Sequence, residues 1–135
     1  MVGNMFLLDT NILIEMFHGR PGLQARIASQ GLEKCFVSEL SLGELYVGAY
    51  KTGRNEYFRQ IGFIKQNFKV IPFDGPAEDY GRIRAGLEQA GTPIGEMDLL
   101  LAATAVNRGL TLVTHNVRHF SRIPGLSVED WFGDD

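Results

Sequence analysis

Short apolar runs alternate along this chain with longer segments of helical period. Met5-Phe6-Leu7-Leu8 is an unbroken apolar run ending in Asp-Thr-Asn, and it predicts a buried strand. A helical stretch from Asn11 to His18, a turn at Gly19 to Pro21 and a second helix from Gly22 to Gln30 follow. Lys34-Cys35-Phe36-Val37 is the next strand, with Ser38 placed to cap a helix from Glu39 to Tyr50. Another helix covers Glu56 to Asn67. Lys69 to Phe73 is a third strand, and Pro72, which has no amide to donate, puts it at a sheet edge or ends it.

The second half repeats the alternation. A helix from Ala77 to Gln89 stops at Gly91, the turn Thr92-Pro93-Ile94-Gly95 follows, and a strongly apolar helix runs from Glu96 to Arg108 with Gly109 as its stop. Thr111 to Thr114 is a fourth strand and Leu126 to Val128 a short fifth. Strands separated by helices require right-handed crossovers, so the expected fold is α/β in three layers, with helices on both faces of a mainly parallel sheet of four to five strands. No linker interrupts the pattern, and residues 1–135 are expected to form one domain.

Open parallel sheets take their ligands beyond the carboxyl ends of the strands, where strand order reverses. The polar residues just after strands are therefore the informative ones. They are Asp9-Thr10-Asn11, Ser38-Glu39 and Thr114-His115-Asn116, three turns expected to open into one crevice.

Asp98 stands out on its helix. Its neighbours at i+3, i+4 and i+7 are Leu101, Ala102 and Ala105, while Thr104, Asn107 and Arg108 form a polar stripe on another face. An unpaired carboxylate on an apolar face costs several kcal/mol, so it is either a first-turn acid favoured by the helix dipole or a functional group. Glu96 already sits nearer the helix start. Glu44 poses the same question among Leu40, Leu42, Leu45, Tyr46 and Val47. It is either a surface glutamate beside glycines used in helix packing, or a site residue beside glycines that admit a ligand. Gly43 and Gly48 each cost about 1 kcal/mol against alanine in a helix, so close approach of another element or a ligand would explain them.

Asp9, Glu44 and Asp98 lie on separate elements that converge on one side of the sheet, with no Lys or Arg in their motifs to pair with. Clustered carboxylates repel unless they share protons or bind a cation. With three histidines, one cysteine and no ligand pair at zinc spacing, oxygen ligation points to Mg²⁺ or Mn²⁺ and to chemistry on phosphate oxygens.

Composition narrows the setting. The lone Cys35 cannot pair within the chain and reads as a small buried hydrophobe in a reducing compartment. No apolar run approaches a membrane span, the first Arg or Lys is Arg20, and Asp9 interrupts the N-terminal apolar run, so no signal peptide is expected and the expected location is cytoplasmic. The net charge of −3, from 13 basic and 16 acidic residues, argues at first against a nucleic-acid partner. However, Glu129, Asp130, Asp134 and Asp135 lie in the last seven residues, and the rest of the chain has 13 basic and 12 acidic residues. Three of those 12 acids are the proposed metal-site group, so the charge does not exclude RNA, although strong nonspecific binding is not expected.

Together these stretches match a known family. Leu7 to Ile14, Ser38 with Ser41-Leu42-Gly43-Glu44-Leu45 and Gly48-Ala49, Arg82-Ile83-Arg84, Pro93 to Asp98, Leu101 to Ala105, and Leu112 to Asn116 through Phe120 to Pro124-Gly125-Leu126 and Trp131 run in order over nearly the whole chain. In this the chain resembles the PIN-domain nucleases, most closely the VapC-type ribonuclease toxins of toxin–antitoxin pairs. The resemblance implies a PIN-like fold and a Mg²⁺- or Mn²⁺-dependent endoribonuclease leaving a 5′-phosphate and a 3′-hydroxyl. Asp9 and Asp98 would be direct metal ligands, and Glu44 would act through water or help activate the nucleophile. Thr10 and Asn116 would orient a carboxylate or water at the rim, with Thr114 supporting. Ser38 reads first as a helix cap and second as a site residue.

One departure matters. Many relatives carry a fourth acid at the position of Asn116 or of His119, and neither is a carboxylate here. That implies one metal in the absence of RNA, with His119 a surface histidine or a phosphate contact. The resemblance also implies a VapB-type antitoxin and a homodimer. Phe58, Ile61 and Phe68, on a helix flanked by Lys51, Arg54, Arg59, Lys65 and Lys69, read as core or partner-facing rather than as a base-stacking surface, and a groove there would suit an antitoxin helix. Two phosphotransfer readings fall away. A haloacid-dehalogenase-like phosphatase needs an acid where Asn11 stands, and a receiver domain needs a lysine where Thr114-His115-Asn116 offers none. The rival from another class is a scaffold that binds RNA or antitoxin without cleaving.

Overall fold

The alternation of strand and helix closes into a five-stranded, wholly parallel sheet of order β3-β2-β1-β4-β5. The computed structural model describes residues 4–133. Its strands are β1 (Phe6–Leu8), β2 (Cys35–Ser38), β3 (Lys69–Ile71), β4 (Thr111–Val113) and β5 (Val128–Glu129). The helices are α1 (Thr10–Phe17), α2 (Leu23–Gln30), α3 (Glu39–Thr52), α4 (Asn55–Asn67), α5 (Ala77–Gln89), α6 (Glu96–Arg108) and α7 (Val117–Phe120). β3 is an edge strand and ends before Pro72, as the missing amide requires. The fifth strand sits at Val128–Glu129 rather than at 126–128, and α7 and a 3₁₀ turn at Leu32–Lys34 are additional to the elements read from periodicity.

The side-chain alternation of β1 divides the core into two layers. Phe6 and Leu8 pack with α1 to α4, whereas Leu7, on the opposite face, packs with α5, α6 and Phe120. Cys35, Val37 and Val113 join the first layer and Leu112 the second, completing a helix–sheet–helix sandwich. Cys35 is fully buried, and burial pushes its thiol up to about 11, which leaves it unreactive at neutral pH. Trp131 closes the first layer edge-on to Phe6 at 4.7 Å, its indole N–H donating to Glu129.

Two polar features differ from the sequence expectation. Thr104, read with Asn107 and Arg108 as a polar stripe, is buried while those two are exposed; its hydroxyl donates to the Leu100 carbonyl and so needs no water. Glu129 and Asp130 are not free tail charges: Glu129 lies in β5 near Arg26, and Asp130 pairs with His115. Asp134 and Asp135 lie outside the described residues. Among the described residues, no helix is long and apolar enough to cross a membrane.

Strand order reverses between β1 and β4, where the chain builds outward to β2 and β3 on one side and to β4 and β5 on the other. The turns after β1 and β4 thus flank the crevice that parallel sheets offer to ligands.

Candidate active site

Asp9 ends β1 and caps α1. Its amide donates to the Val113 carbonyl at 3.1 Å, carrying the β1–β4 pairing one step further, and its Oδ1 accepts from the Ile12 amide at 2.9 Å. The residue that stops the strand is therefore held as a helix cap at the switch point. Glu44 projects from the middle of α3, exposed, where the Thr10 hydroxyl reaches its Oε1. Thr10 Oγ1 is also 3.0 Å from Ser41 Oγ. A hydroxyl has one proton, and an ionised carboxylate only accepts, so Thr10 donates to Glu44 and accepts from Ser41.

Asp98 lies half-buried in the first turn of α6. That helix begins at Gly95 with no side-chain cap, so its amides favour negative charge there. Glu96 does not compete for the position. It accepts from the Tyr80 hydroxyl and faces Arg84, on the α5 side.

These elements enclose an open cleft of about 280 Å³ whose lining includes Asp9, Thr10, Asn11, Glu44, Met97 and Asp98. Its electrostatics are those of crowded acids. Burial pushes the Asp9 carboxyl above its ordinary value and the Asp98 charge adds to the rise, while the Thr114 hydroxyl and the amides of Ile12 and Asn11 pull it partly back. Burial also raises Asp98; the nearby His119 opposes that rise and Glu44 adds to it. Among the described residues, no Lys or Arg forms an ion pair with Asp9, Glu44 or Asp98.

The PIN domain family matches residues 6–126. This chain belongs to that family. The tRNA(fMet)-specific endonuclease VapC of Salmonella typhimurium is 37% identical over 129 residues, 93% of this chain and 97% of that protein. Ribonuclease VapC1 of Haemophilus influenzae is 34% identical over 131 residues, 94% and 98% of the two chains. Among solved structures, VapBC2 from Rickettsia felis bound to a DNA fragment from its promoter superposes with a TM-score of 0.85 at 29% identity, covering 94% of this chain and 98% of that one. DNA-bound VapBC from Salmonella typhimurium gives 0.82 at 33% identity, covering 96% and 99%. The resemblance read from the motifs is thus confirmed for family and fold.

In this PIN domain, the residues singled out from sequence divide into three groups. Asp9, Glu44, Asp98 and Thr10 meet at the cleft. Thr114 and Ser38 are not part of its lining. Both are fully buried; Thr114 Oγ1 accepts from the Asn116 amide at 3.0 Å, and Ser38 caps α3 by accepting from the Leu40 amide. Asn116 stands exposed at the start of α7, with its side-chain Nδ2 2.8 Å from His119 Nδ1. His115 turns away, stacked on Phe132 and paired with Asp130.

Ser41 escaped the sequence reading as an individual candidate. Its position three residues before Glu44, on the same side of α3, was the available signal. Gly43 and Gly48 do not make room for another element of the fold, since a Cβ at either meets nothing within 4 Å. Gly48 instead borders a second groove of about 300 Å³ between α1, α3 and α4, lined by Ile14, Phe17, Leu45, Ala49, Tyr57 and Ile61, with Glu44 among its lining residues.

PIN nucleases generally use divalent metal ions. The donors here suit such an ion in kind, because the cleft offers carboxylate and hydroxyl oxygen and no thiolate or imidazole in its lining. Among the described residues, no three acidic, imidazole or thiolate groups close into a compact cage. An open set of carboxylates suits a cation that keeps several waters, as Mg²⁺ does.

Proposed function

We propose that this chain is a Mg²⁺- or Mn²⁺-dependent endoribonuclease that hydrolyses RNA phosphodiester bonds, and that it acts in the cytoplasm as a growth-inhibiting toxin neutralised by a VapB-type antitoxin. The observation that carries this reading is the meeting of Asp9, Glu44 and Asp98, from three separate elements, in one cleft with no basic ion-pair partner among the described residues. Acids raised by burial and mutual repulsion are costly to the fold unless they serve a cation.

Asp9 and Asp98 would hold the ion directly and Glu44 through water, with a single ion in the absence of RNA, because neither Asn116 nor His119 supplies a fourth acid. When bound, it neutralises charge on the phosphate oxygens and makes water acidic enough to attack. The chain supplies orientation. Asp9 is held at a fixed angle by the Ile12 amide, and Thr10, steadied by Ser41, keeps Glu44 turned to the cleft, where it can take a proton from the attacking water. Asn116 orients phosphate or water at the rim. The products are a 5′-phosphate and a 3′-hydroxyl.

The groove between α1, α3 and α4 suits the apolar face of an antitoxin helix, which would lie across Glu44 and cover the cleft. VapBC complexes among the structural relatives support that occupant. The residues form one domain, and two copies paired as a homodimer would join two clefts into a longer RNA channel.

The test is cleavage of RNA by the purified wild type and by Asp98→Asn, with Mn²⁺ and with chelator. Cleavage only by the wild type with metal supports the reading. Equal residual cleavage in all four cases marks a contaminating nuclease and leaves a scaffold that binds without cutting.

A further inference from the structure

His119 is tied into the site region from outside the cleft. Its Nδ1 lies 2.8 Å from the Asn116 side-chain amide, so whichever way that amide faces, Nδ1 is engaged and Nε2 is the ring nitrogen left for a ligand. The residue is half-buried, at the surface end of the short helix α7. The Asn116 backbone amide in turn donates to Thr114 Oγ1 at 3.0 Å, so the ring hangs from the turn that follows β4, at the point where strand order reverses. A polyanion approaching three carboxylates meets repulsion, and among the described residues no lysine or arginine is ion-paired to those acids to relieve it.

We propose that His119, held by Asn116 in the turn after β4, is a phosphate-binding residue of the substrate path, its Nε2–H donating to a non-bridging oxygen of the RNA backbone near the cleaved bond. The proposal rests on the ribonuclease reading and adds to it a specific contact. It makes the departure at residue 119 a change of role. A neutral or cationic imidazole there grips the strand instead of repelling it, and Asn116 becomes the residue that aims the ring.

The alternative is that His119 only staples the single turn of α7 through Asn116. Stability and salt dependence separate the two. The probe is a fluorescein-labelled single-stranded RNA oligonucleotide titrated, in chelator, against Asp98→Asn, which does not cut it. The same titration is run on the double variants carrying His119→Gln, which keeps a hydrogen-bonding side chain without the charge, and His119→Lys, which keeps a charge without the ring. At mildly acidic pH, His119→Gln is expected to weaken binding roughly tenfold, the loss of one charged hydrogen bond. It should also make the slope of log K against log salt shallower by about 0.7, the release expected from one phosphate contact on a single strand. His119→Lys should recover most of that slope, and all three proteins should melt alike.

Unchanged affinity and slope in His119→Gln overturn the proposal and leave the nuclease reading intact. A drop in melting temperature with an unchanged slope also overturns it, in favour of the staple. If the wild type with Mn²⁺ does not cleave the same oligonucleotide, the ribonuclease reading fails and this inference fails with it.

Discussion

Thr10 and Glu44 lie 34 positions apart in the chain, yet the threonine hydroxyl hydrogen-bonds Glu44 Oε1. The bond ties the end of β1, where Asp9 is fixed as a cap, to the middle of α3, where Glu44 is otherwise exposed. An exposed glutamate samples many rotamers, and a single bond from a residue adjacent to Asp9 holds it at the cleft. Thr10→Val keeps the shape and removes the bond. We expect kcat/KM for RNA cleavage to fall roughly tenfold, about 1.4 kcal/mol of transition-state stabilisation, with little change in melting temperature. Thr10→Ser should restore most of the rate. Equal rates in wild type and Thr10→Val would show that Glu44 needs no such hold.

The raised carboxyls of Asp9 and Asp98 set how stability responds to pH. Both lie above the ordinary 3.8, so between that value and their folded-state values the native protein binds more protons than the unfolded chain. Metal-free stability from these groups is therefore greatest below the ordinary carboxylate value and falls as pH rises through the raised ones. Asp98→Asn removes one of these charges. At neutral pH in chelator we expect it to melt roughly 2–5 °C above the wild type, while losing cleavage by at least about a hundredfold. The gap in melting temperature should shrink as pH falls toward about 4. A gap that stays constant with pH, or a destabilised variant, would refute the account of Asp98 as a strained acid.

Metal addition should reverse that ranking. A cation bound only by the native state stabilises by RT ln(1 + [L]/Kd), about 2.7 kcal/mol at a hundredfold excess over Kd. Mn²⁺ is thus expected to raise the melting temperature of the wild type and to leave Asp98→Asn nearly unmoved. The rise should fade on acidification, because protons compete for the same oxygens. Identical shifts in both proteins would place the ion elsewhere.

Much of this was legible in the residues because its causes are local. Met5 to Leu8 read as a strand from a run of apolar residues, Asp9 and Ser38 read as caps from chemistry adjacent in sequence, and Pro72 marked the edge of the sheet by lacking an amide. The less legible features depend on the fold as a whole. Thr104 counts as polar in any helical wheel, but its bond to Leu100 satisfies it in the core. Ser41 gains its role only when α3 is laid against Thr10. Glu44 was placed at the site by its apolar neighbours, yet it is exposed, and what orients it is a residue from another element. The acids at 129 and 130 read as a charged tail because their partners Arg26 and His115 are distant in the chain.

Gly43 offers a test of stability separate from the chemistry. It lies inside α3 with ordinary helical φ, and a Cβ there meets nothing within 4 Å. Gly43→Ala is therefore expected to stabilise the domain by roughly 0.5–1 kcal/mol, since it removes backbone entropy from the unfolded chain and adds no clash. Urea denaturation measures this directly, and a destabilised variant would mean that something packs on α3 at that point in solution.

Gly48 has the same open surroundings but a different outlook, because it borders the apolar groove beside Glu44. A phenylalanine there meets no backbone strain and occupies the volume that an antitoxin helix would need, while Asp9, Thr10 and Asp98 stay untouched on other elements. Gly48→Phe is thus expected to retain RNA cleavage within about threefold and to weaken antitoxin binding by at least about tenfold, an amount typical of losing one buried anchor. Expressed with a VapB-type antitoxin that silences the wild type, the variant should still arrest growth. If it is silenced equally well, the helix does not lie in this groove and inhibition works through another surface.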